Sequence, residues 1–197
     1  MGYSHTRSIL LEYRSHHALP RLVLKIYIRK YVCIYIHKGL VHVRIDDRLI
    51  HGQVAVDWCN AVNATRIMVA NDVMYENDVQ KAALRLVVPA GLKSSLLNIE
   101  KATKNLVSGK YEGQRVILVV RRPKDILRMM DHGVEVQEIN VGNLPARDGT
   151  RNVKKSINVT DEEIKDFQEL SRRGVKLTGK QVPDNADDDL MELINKL

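Results

Sequence analysis

LVHVRIDDRLIHGQVAVDW, residues 40–58, runs from a β-prone segment into a turn holding two carboxylates, an arginine and a histidine, and from there into an amphipathic stretch. LVHVRI (40–45) reads as a buried strand, and GQVAVDWCNAV (52–62), with Val54, Trp58, Ala61 and Val62 on one face, reads as a helix. A strand passed through a short turn into a helix is the unit from which parallel α/β sheets are built. In such sheets ligands bind outside the carboxyl ends of the strands, which is where this turn places its ionisable residues.

The same alternation continues along the chain. TRIMVA (65–70) is the next strand, and NDVQKAALRLVV (77–88) a helix stopped by Pro89 and Gly91. A weaker strand, KSSLLN (93–98), leads to the helix IEKATKNLVSG (99–109), which ends on a glycine. RVILVV (115–120) is the clearest buried strand. Pro123 suits the first turn of a helix over 124–132, which Gly133 ends. VQEINVG (136–142) is again a strand, and NLPARDGTRNVKK (143–155), rich in Gly, Pro and basic residues, reads as a surface loop. SINVT then leads to Thr160-Asp-Glu-Glu163, a capping box at the start of a helix over 161–173. Gly174 ends that helix, VKLTGKQV (175–182) is a last strand, and DDDLMELINKL a short closing helix with acids at its positive end. With no internal repeat, dividing linker or low-complexity tract, the economical fold is a single doubly wound α/β domain, its sheet mostly parallel and its helices on both faces.

At 197 residues the chain suits one domain, or one domain with an appendage. A net charge of +7 would suggest a nucleic-acid or anionic-membrane partner, but its location argues otherwise. Residues 1–39 hold seven Lys/Arg against Glu12 alone and supply +6, leaving the body at +1. This leader also carries five of the seven tyrosines and four of the seven histidines. Its most apolar run, LVLKIYIRKYVCIYI (22–36), is interrupted by Lys25, Arg29 and Lys30, which disfavours a membrane span, and it lacks the pattern of a secretory signal. Residues 1–39 therefore read as a translated upstream stretch with no packed role, or as a basic, β-prone arm for a membrane surface or a partner. Residues 40–197 are the functional domain. Cys33 and Cys59 form neither a metal-ligand spacing nor a disulfide framework, so the expected compartment is the reducing cytoplasm and no metal site is expected.

The turn after the first strand can be read as chemistry. A helix start offers unpaired N–H groups and a positive partial charge, and so favours anions. Gly52 lets that backbone approach an anion without a Cβ in the way. Arg48 carries a permanent charge on a fork that can grip two phosphate oxygens. His51 is a nitrogen nucleophile when neutral, and Asp46 or Asp47 could hold the ring nitrogen that does not attack. A covalent phosphohistidine uses all four features. The plainer reading is a surface turn histidine beside an Asx turn. No Walker loop, dinucleotide fingerprint, H-E-x-x-H or G-x-S-x-G competes.

RIDDRLIHGQV resembles the active-site segment of the enzyme IIB component of the mannose/fructose/sorbose-type bacterial phosphotransferase system. The resemblance extends from about residue 40 to the C-terminus, supported by VANDVMYENDVQK (69–81), VPAGLKSSLLNIEKA (88–102) and INVGN (139–143). It implies a parallel-rich sheet of about seven strands and a protein-Npi-phosphohistidine–sugar phosphotransferase. Such a protein takes a phosphoryl group from a IIA phosphohistidine and passes it to a sugar held by the membrane IIC/IID permease. It would work in the cytoplasm, associating peripherally with the permease. The resemblance places the phosphoryl group on His51 at Nδ1, with Arg48 stabilising it, Asp46 orienting the ring and Asp47 a second candidate. The backbone of Gly52 and Gln53 would complete the cradle. Asn71 and Asp72 would lie on the same sheet edge, where turn and helix-cap roles suit them equally well. No cofactor is implied beyond the covalent phosphoryl group, and no nucleic acid; a homodimer stays open. So does the sugar: mannose, fructose, sorbose, N-acetylgalactosamine or another. The leader departs from the family, whose members begin near Leu40. Two other classes remain as alternatives: a non-catalytic regulator that senses a partner's phosphorylation, and a nucleic-acid-binding module resting on the leader and Lys154/Lys155.

Overall fold

The computed structural model describes residues 39–186 and 188–197, so the readings made for residues 1–38 lie outside the described residues. The strands are β1 (Leu40–Asp46), β2 (Arg66–Ala70), β3 (Lys93–Leu97), β4 (Val116–Val120), β5 (Glu138–Asn143), β6 (Arg151–Lys154), β7 (Ile157–Val159) and β8 (Lys176–Thr178). The helices are α1 (Gln53–Trp58 continued by Cys59–Ala61), α2 (Asp72–Tyr75), α3 (Asp78–Leu86), α4 (Ile99–Val107), α5 (Pro123–Asp131), α6 (Asp161–Arg172) and α7 (Leu190–Ile194).

Side-chain alternation builds the layers. In β4, Val116, Leu118 and Val120 join one apolar cluster, while Ile117 and Val119 join another. Successive strand residues point to opposite faces, so a strand apolar throughout must be covered twice. α1, α2 and α3 supply Val54, Trp58, Met74 and Leu84 to one face. α4 to α7 supply Leu106, Ile126, Phe167 and Leu190, among others, to the other face. The central sheet has the order β3-β2-β4-β1-β5-β8, with every pairing parallel. This is the doubly wound α/β architecture expected from the sequence, with six strands in the main sheet and β6–β7 forming a separate antiparallel hairpin.

The order creates a switch point. β1 and β4 are neighbours, yet β1 leads into α1 on one face and β4 into α5 on the other. A crevice opens between the carboxyl ends of such a pair. The RIDDRLIHG turn leaves β1 at this crevice.

Three local features differ from the sequence reading. The 143–155 loop ends in β6, whose exposed Arg151 and Asn152 gave no alternating apolar signal. The last strand is shorter, Lys176–Thr178, and the chain then leaves the sheet. α1 is wound in π-type turns over Gln53–Trp58, which bury Val54, Ala55, Trp58 and Cys59. The wider i→i+5 turn rotates Ala61 out to solvent, whereas an ordinary α-helix would have placed it beside Val54. Among the described residues, no helix is long and apolar enough to cross a membrane.

Helix starts follow the expected chemistry. Asn71, Asn77 and Asn98 accept a backbone N–H at the starts of α2, α3 and α4, and Thr160 with Glu163 forms the complete capping box of α6. Phe167, fully buried in α6, anchors that helix to the sheet. Thr160→Ala should cost about 1 kcal/mol, as loss of an N-cap does. Phe167→Ala should cost about 3–5 kcal/mol, as cavity creation does. Urea unfolding of the two variants checks the ranking.

Candidate functional site

The site begins inside β1. Val43 and Ile45 belong to the apolar cluster beneath one face of the sheet. His42, Arg44 and Asp46 alternate with them and point to the other face, towards α1. His42 stacks on the Trp58 ring at 4.4 Å, and the Arg44 guanidinium lies over the same ring at 5.2 Å. Arg44 and Asp46 are both fully buried and form an ion pair, Nη2 to Oδ2, at 2.8 Å.

Asp46 is the hub of the turn. Its Oδ2 also receives Arg44 Nε at 3.3 Å and Arg48 Nη2 at 3.2 Å, while Oδ1 receives the Arg48 backbone N–H and Nε, each at 3.1 Å. His51 Nε2 lies 3.0 Å from Oδ2. Burial alone would push the Asp46 carboxyl towards its protonated form. Hydrogen bonds from His51 and Arg48 and the charge of Arg44 overcome that and hold it well below the usual carboxylate range. An ionised carboxylate can only accept, so the neutral imidazole must carry its proton on Nε2, leaving Nδ1 as the nucleophilic nitrogen. The His51 side chain is 18 % exposed, so the ring is held from behind and still reachable.

The turn itself is tight. Leu49 N–H bonds the Asp46 carbonyl at 3.0 Å, and Leu49 adopts the left-handed φ of 59°. That conformation costs a non-glycine residue about 1–2 kcal/mol. Complete burial of the leucine side chain returns about 1.5–3 kcal/mol, enough to hold the turn closed. Beyond it, Ala55 N–H bonds the His51 carbonyl at 2.8 Å, so the N–H groups of Gly52, Gln53 and Val54 lie at the open end of α1. Gly52 is exposed at an ordinary φ of −45°, and a Cβ built there meets nothing. A glycine at this position thus serves open approach rather than backbone freedom. Arg48, 41 % exposed, adds a bond from Nη2 to Gln53 Oε1 at 3.3 Å.

The structure therefore gathers Asp46, Arg48, His51, Gly52 and Gln53. It does not bring Asp47, Asn71 or Asp72 to the ring. Asp47 turns away to Arg122 Nη2 at 2.6 Å, and its carbonyl accepts from Arg121 Nε at 3.2 Å, because consecutive residues here point to opposite sides. Asn71 Oδ1 caps α2 through Met74 N–H at 2.8 Å. Asp72 accepts from Ile99 N–H at 2.9 Å and Arg128 Nη1 at 2.7 Å. Both stand at the end of β2, separated from β1 by β4, and act as helix caps and ties.

Arg44 and its surroundings were missed by the sequence reading. Arg44 Nη1 donates to Asn140 Oδ1 on β5 and to the Lys180 carbonyl at 3.3 Å, and Nη2 to the Gln181 carbonyl at 3.2 Å. A Cβ on Gly142 would fall on the guanidinium, so β5 needs glycine there. The available signal was a charge two residues before Asp46, on the same face of an otherwise buried strand. Among the described residues, no group of three His, Cys, Asp or Glu side chains gathers to hold a metal.

A parallel α/β domain that presents, at its switch point, an imidazole backed by a buried carboxylate is the class that fold and site define. The chain belongs to the family described as the PTS system sorbose subfamily IIB component, whose model matches residues 40–197. It is 34 % identical over 159 residues to the fructose-specific EIIB component of Bacillus subtilis, covering 81 % of this chain and 98 % of that one. It is 35 % identical over 154 residues to the mannose-specific EIIAB component of Escherichia coli, covering 78 % of this chain and 48 % of that protein. The crystal structure of the IIBSor domain of the sorbose permease from Klebsiella pneumoniae superimposes with a TM-score of 0.77 at 32 % identity, covering 80 % of this chain and 97 % of that one. These relatives are sugar-specific components, which supports a sugar phosphotransferase role.

His42 gives the site a pH signature. Burial, with Arg44 and Lys180 adding like charge, lowers its pKa to about 3 from 6.5. Between those values the unfolded chain takes up a proton that the folded chain refuses, so stability falls as pH drops through that window. Unfolding of the wild type in urea should lose up to about 2 kcal/mol from this group between pH 7 and pH 5. His42→Phe, which keeps a ring on Trp58, should show that much less loss. An equal loss in both proteins would refute the assignment.

Proposed function

We propose that the domain is a IIB phosphocarrier in which His51 Nδ1 accepts a phosphoryl group from a IIA phosphohistidine and delivers it to a sugar held by a membrane IIC/IID permease. The observation that carries this reading is the 3.0 Å contact between His51 Nε2 and buried Asp46, which assigns the lone pair to Nδ1 of a residue directly before Gly52 at the start of α1.

In the first transfer the Nδ1 lone pair attacks phosphorus as the N–P bond of the donor breaks. The proton stays on Nε2, and Asp46 balances the positive charge that develops on the ring. The Gly52 and Gln53 N–H groups and Arg48, whose Nη1 is uncommitted among the described residues, can receive the equatorial oxygens. In the second transfer the sugar hydroxyl oxygen replaces Nδ1 at phosphorus: the Nδ1–P bond breaks with its electron pair returning to Nδ1, and the hydroxyl proton passes to a base of the permease or to water. A group passed between proteins needs a rim that two different partners can cover. A groove of about 740 Å³ lies instead between α4 and α5, lined by Ile99, Thr103, Val107, Arg128 and His132, away from His51. The reading requires no dissociable cofactor, and it places the protein in the cytoplasm, docking on the permease. The fusion of IIA to IIB named in the E. coli relative supports a IIA donor.

Incubated with phosphoenolpyruvate, the general phosphotransferase proteins and a cognate IIA, the protein should acquire an acid-labile, alkali-stable phosphoryl group that is absent in His51→Ala. Label that persists in the variant removes His51 from the role. Arg48→Lys keeps the charge and loses the fork, so phosphoryl uptake should slow roughly tenfold or more, a larger effect than the loss of stability from its bonds to Asp46. An unchanged rate counts against Arg48 as the clamp.

A further inference from the structure

We propose that Arg44 is a positioning residue of this site: its buried guanidinium fixes Asp46 so that His51 keeps its proton on Nε2 and presents Nδ1. The proposal rests on the reading of His51 as phosphoryl acceptor and extends it to a residue that cannot itself reach the phosphoryl group.

Arg44 sits behind Asp46, fully buried, with no route to a bound anion. Every direction of its fork is used. Nε and Nη2 hold Asp46 Oδ2 at 3.3 and 2.8 Å, Nη1 bonds Asn140 Oδ1, and the Lys180 and Gln181 carbonyls lie at 3.3 and 3.2 Å. Neighbours lock these partners in turn. Asn140 Nδ2 donates to the Lys180 carbonyl at 3.0 Å, and Trp58 Nε1 to the Gln181 carbonyl at 2.8 Å. β5 supplies Gly142 where any side chain would collide with the guanidinium. A chain that buries a full positive charge and clears a backbone position for it is holding that charge for a purpose beyond packing. A hydrophobic residue of similar volume would stabilise a core at least as well.

The purpose follows from proton bookkeeping on the ring. Neutral imidazole has two tautomers, and only the one protonated on Nε2 has its lone pair on Nδ1. A buried carboxyl group left to itself would retain its proton. It could then donate to Nε2, placing the ring proton on Nδ1 and removing the nucleophile. Arg44 opposes that alternative in two ways: its charge adds to the bonds from His51 and Arg48 in keeping Asp46 ionised, and its two bonds to Oδ2 fix the carboxylate plane that meets Nε2. Arg48 also bonds Asp46 and lowers its pKa, but it does so from the solvent side, 41 % exposed, whereas Arg44 is fixed in the interior.

The test uses the full chain labelled with ¹⁵N, reading long-range ¹H–¹⁵N correlations of the His51 ring alongside the rate of phosphoryl uptake from IIA. The wild type should show the Nε2–H pattern. Arg44→Met, which keeps the volume without the charge, should show mixed tautomers and uptake slowed about tenfold or more. Arg44→Lys should restore part of both. Gly142→Ala leaves every charge in place and takes only the seat of the guanidinium, so it should shift both readouts in the same direction as Arg44→Met. If Arg44→Met does not fold, the lysine and Gly142 variants carry the test. A purely structural role would lower the unfolding midpoint without moving the tautomer pattern of the folded variants. An unchanged Nε2–H pattern and uptake rate in folded Arg44 variants, or an Nδ1–H pattern in the wild type, overturns the proposal while labelling of wild-type His51 still stands. Absence of label on wild-type His51 instead removes the acceptor reading, and the tautomer pattern alone then decides the effect of Arg44 on the ring.

Discussion

A carboxylate with no exposed surface is tolerable only when donors surround it, and Asp46 meets that condition with bonds from Arg44, Arg48 and His51. Much of the local architecture follows from this requirement. Residues 42, 44 and 46 give one face of β1 a polar character, while Val43 and Ile45 keep the opposite face apolar. The guanidinium needs room, so β5 carries Gly142. It needs acceptors, so the chain leaves β8 and lays the carbonyls of residues 180 and 181 across it. The hub also reaches outward through the Asx-type bond that Asp46 makes to the Arg48 backbone, which starts the turn delivering His51 to α1.

How much of this was legible beforehand depended on whether the signal was local. The runs at 65–70 and 115–120 announce buried strands because their neighbours on both faces are helices, and a continuous apolar segment records that directly. The turn at 46–53 was legible for the same reason, since nucleophile, carboxylate, arginine and helix start are adjacent in the chain. Arg44 was not. Its burial is decided by β5 and by residues 180 and 181, about a hundred positions away or more, and in sequence it looks like an ordinary solvated arginine on a strand. The π-type winding of α1 was hidden as well, because the apolar residues of that stretch satisfy either helical period. The assignment of Asn71 and Asp72 failed to discriminate for another reason. The edge of an α/β sheet needs polar caps after every strand, so residues serving the fold and residues serving the chemistry have the same composition there.

The strand order turns a local motif into a site. Because β4 is inserted between β2 and β1, the connections after β1 and β4 diverge, and the crevice between them is walled by residues from both. Arg121 and Arg122, at the end of β4, bind Asp47 through its carbonyl and its carboxylate. Asp47 therefore ties the β1 turn to the β4 turn and leaves Asp46 alone with the ring. Two adjacent aspartates of identical chemistry are given opposite tasks by the direction in which a strand end points them.

The two arginines divide in the same manner. A single arginine asked both to keep Asp46 ionised and to receive a phosphoryl group would have to loosen one contact in order to make the other, and the ring would lose its tautomer just as the phosphorus arrived. With Arg44 fixed in the interior, one of the contributions that keep Asp46 ionised stays in place when Arg48 moves, beside the bond from His51. Arg48 is then released to move, and its 41 % exposure is consistent with a side chain that can turn towards an incoming anion. On this view the inner arginine, which touches no substrate, is what permits the outer one to act.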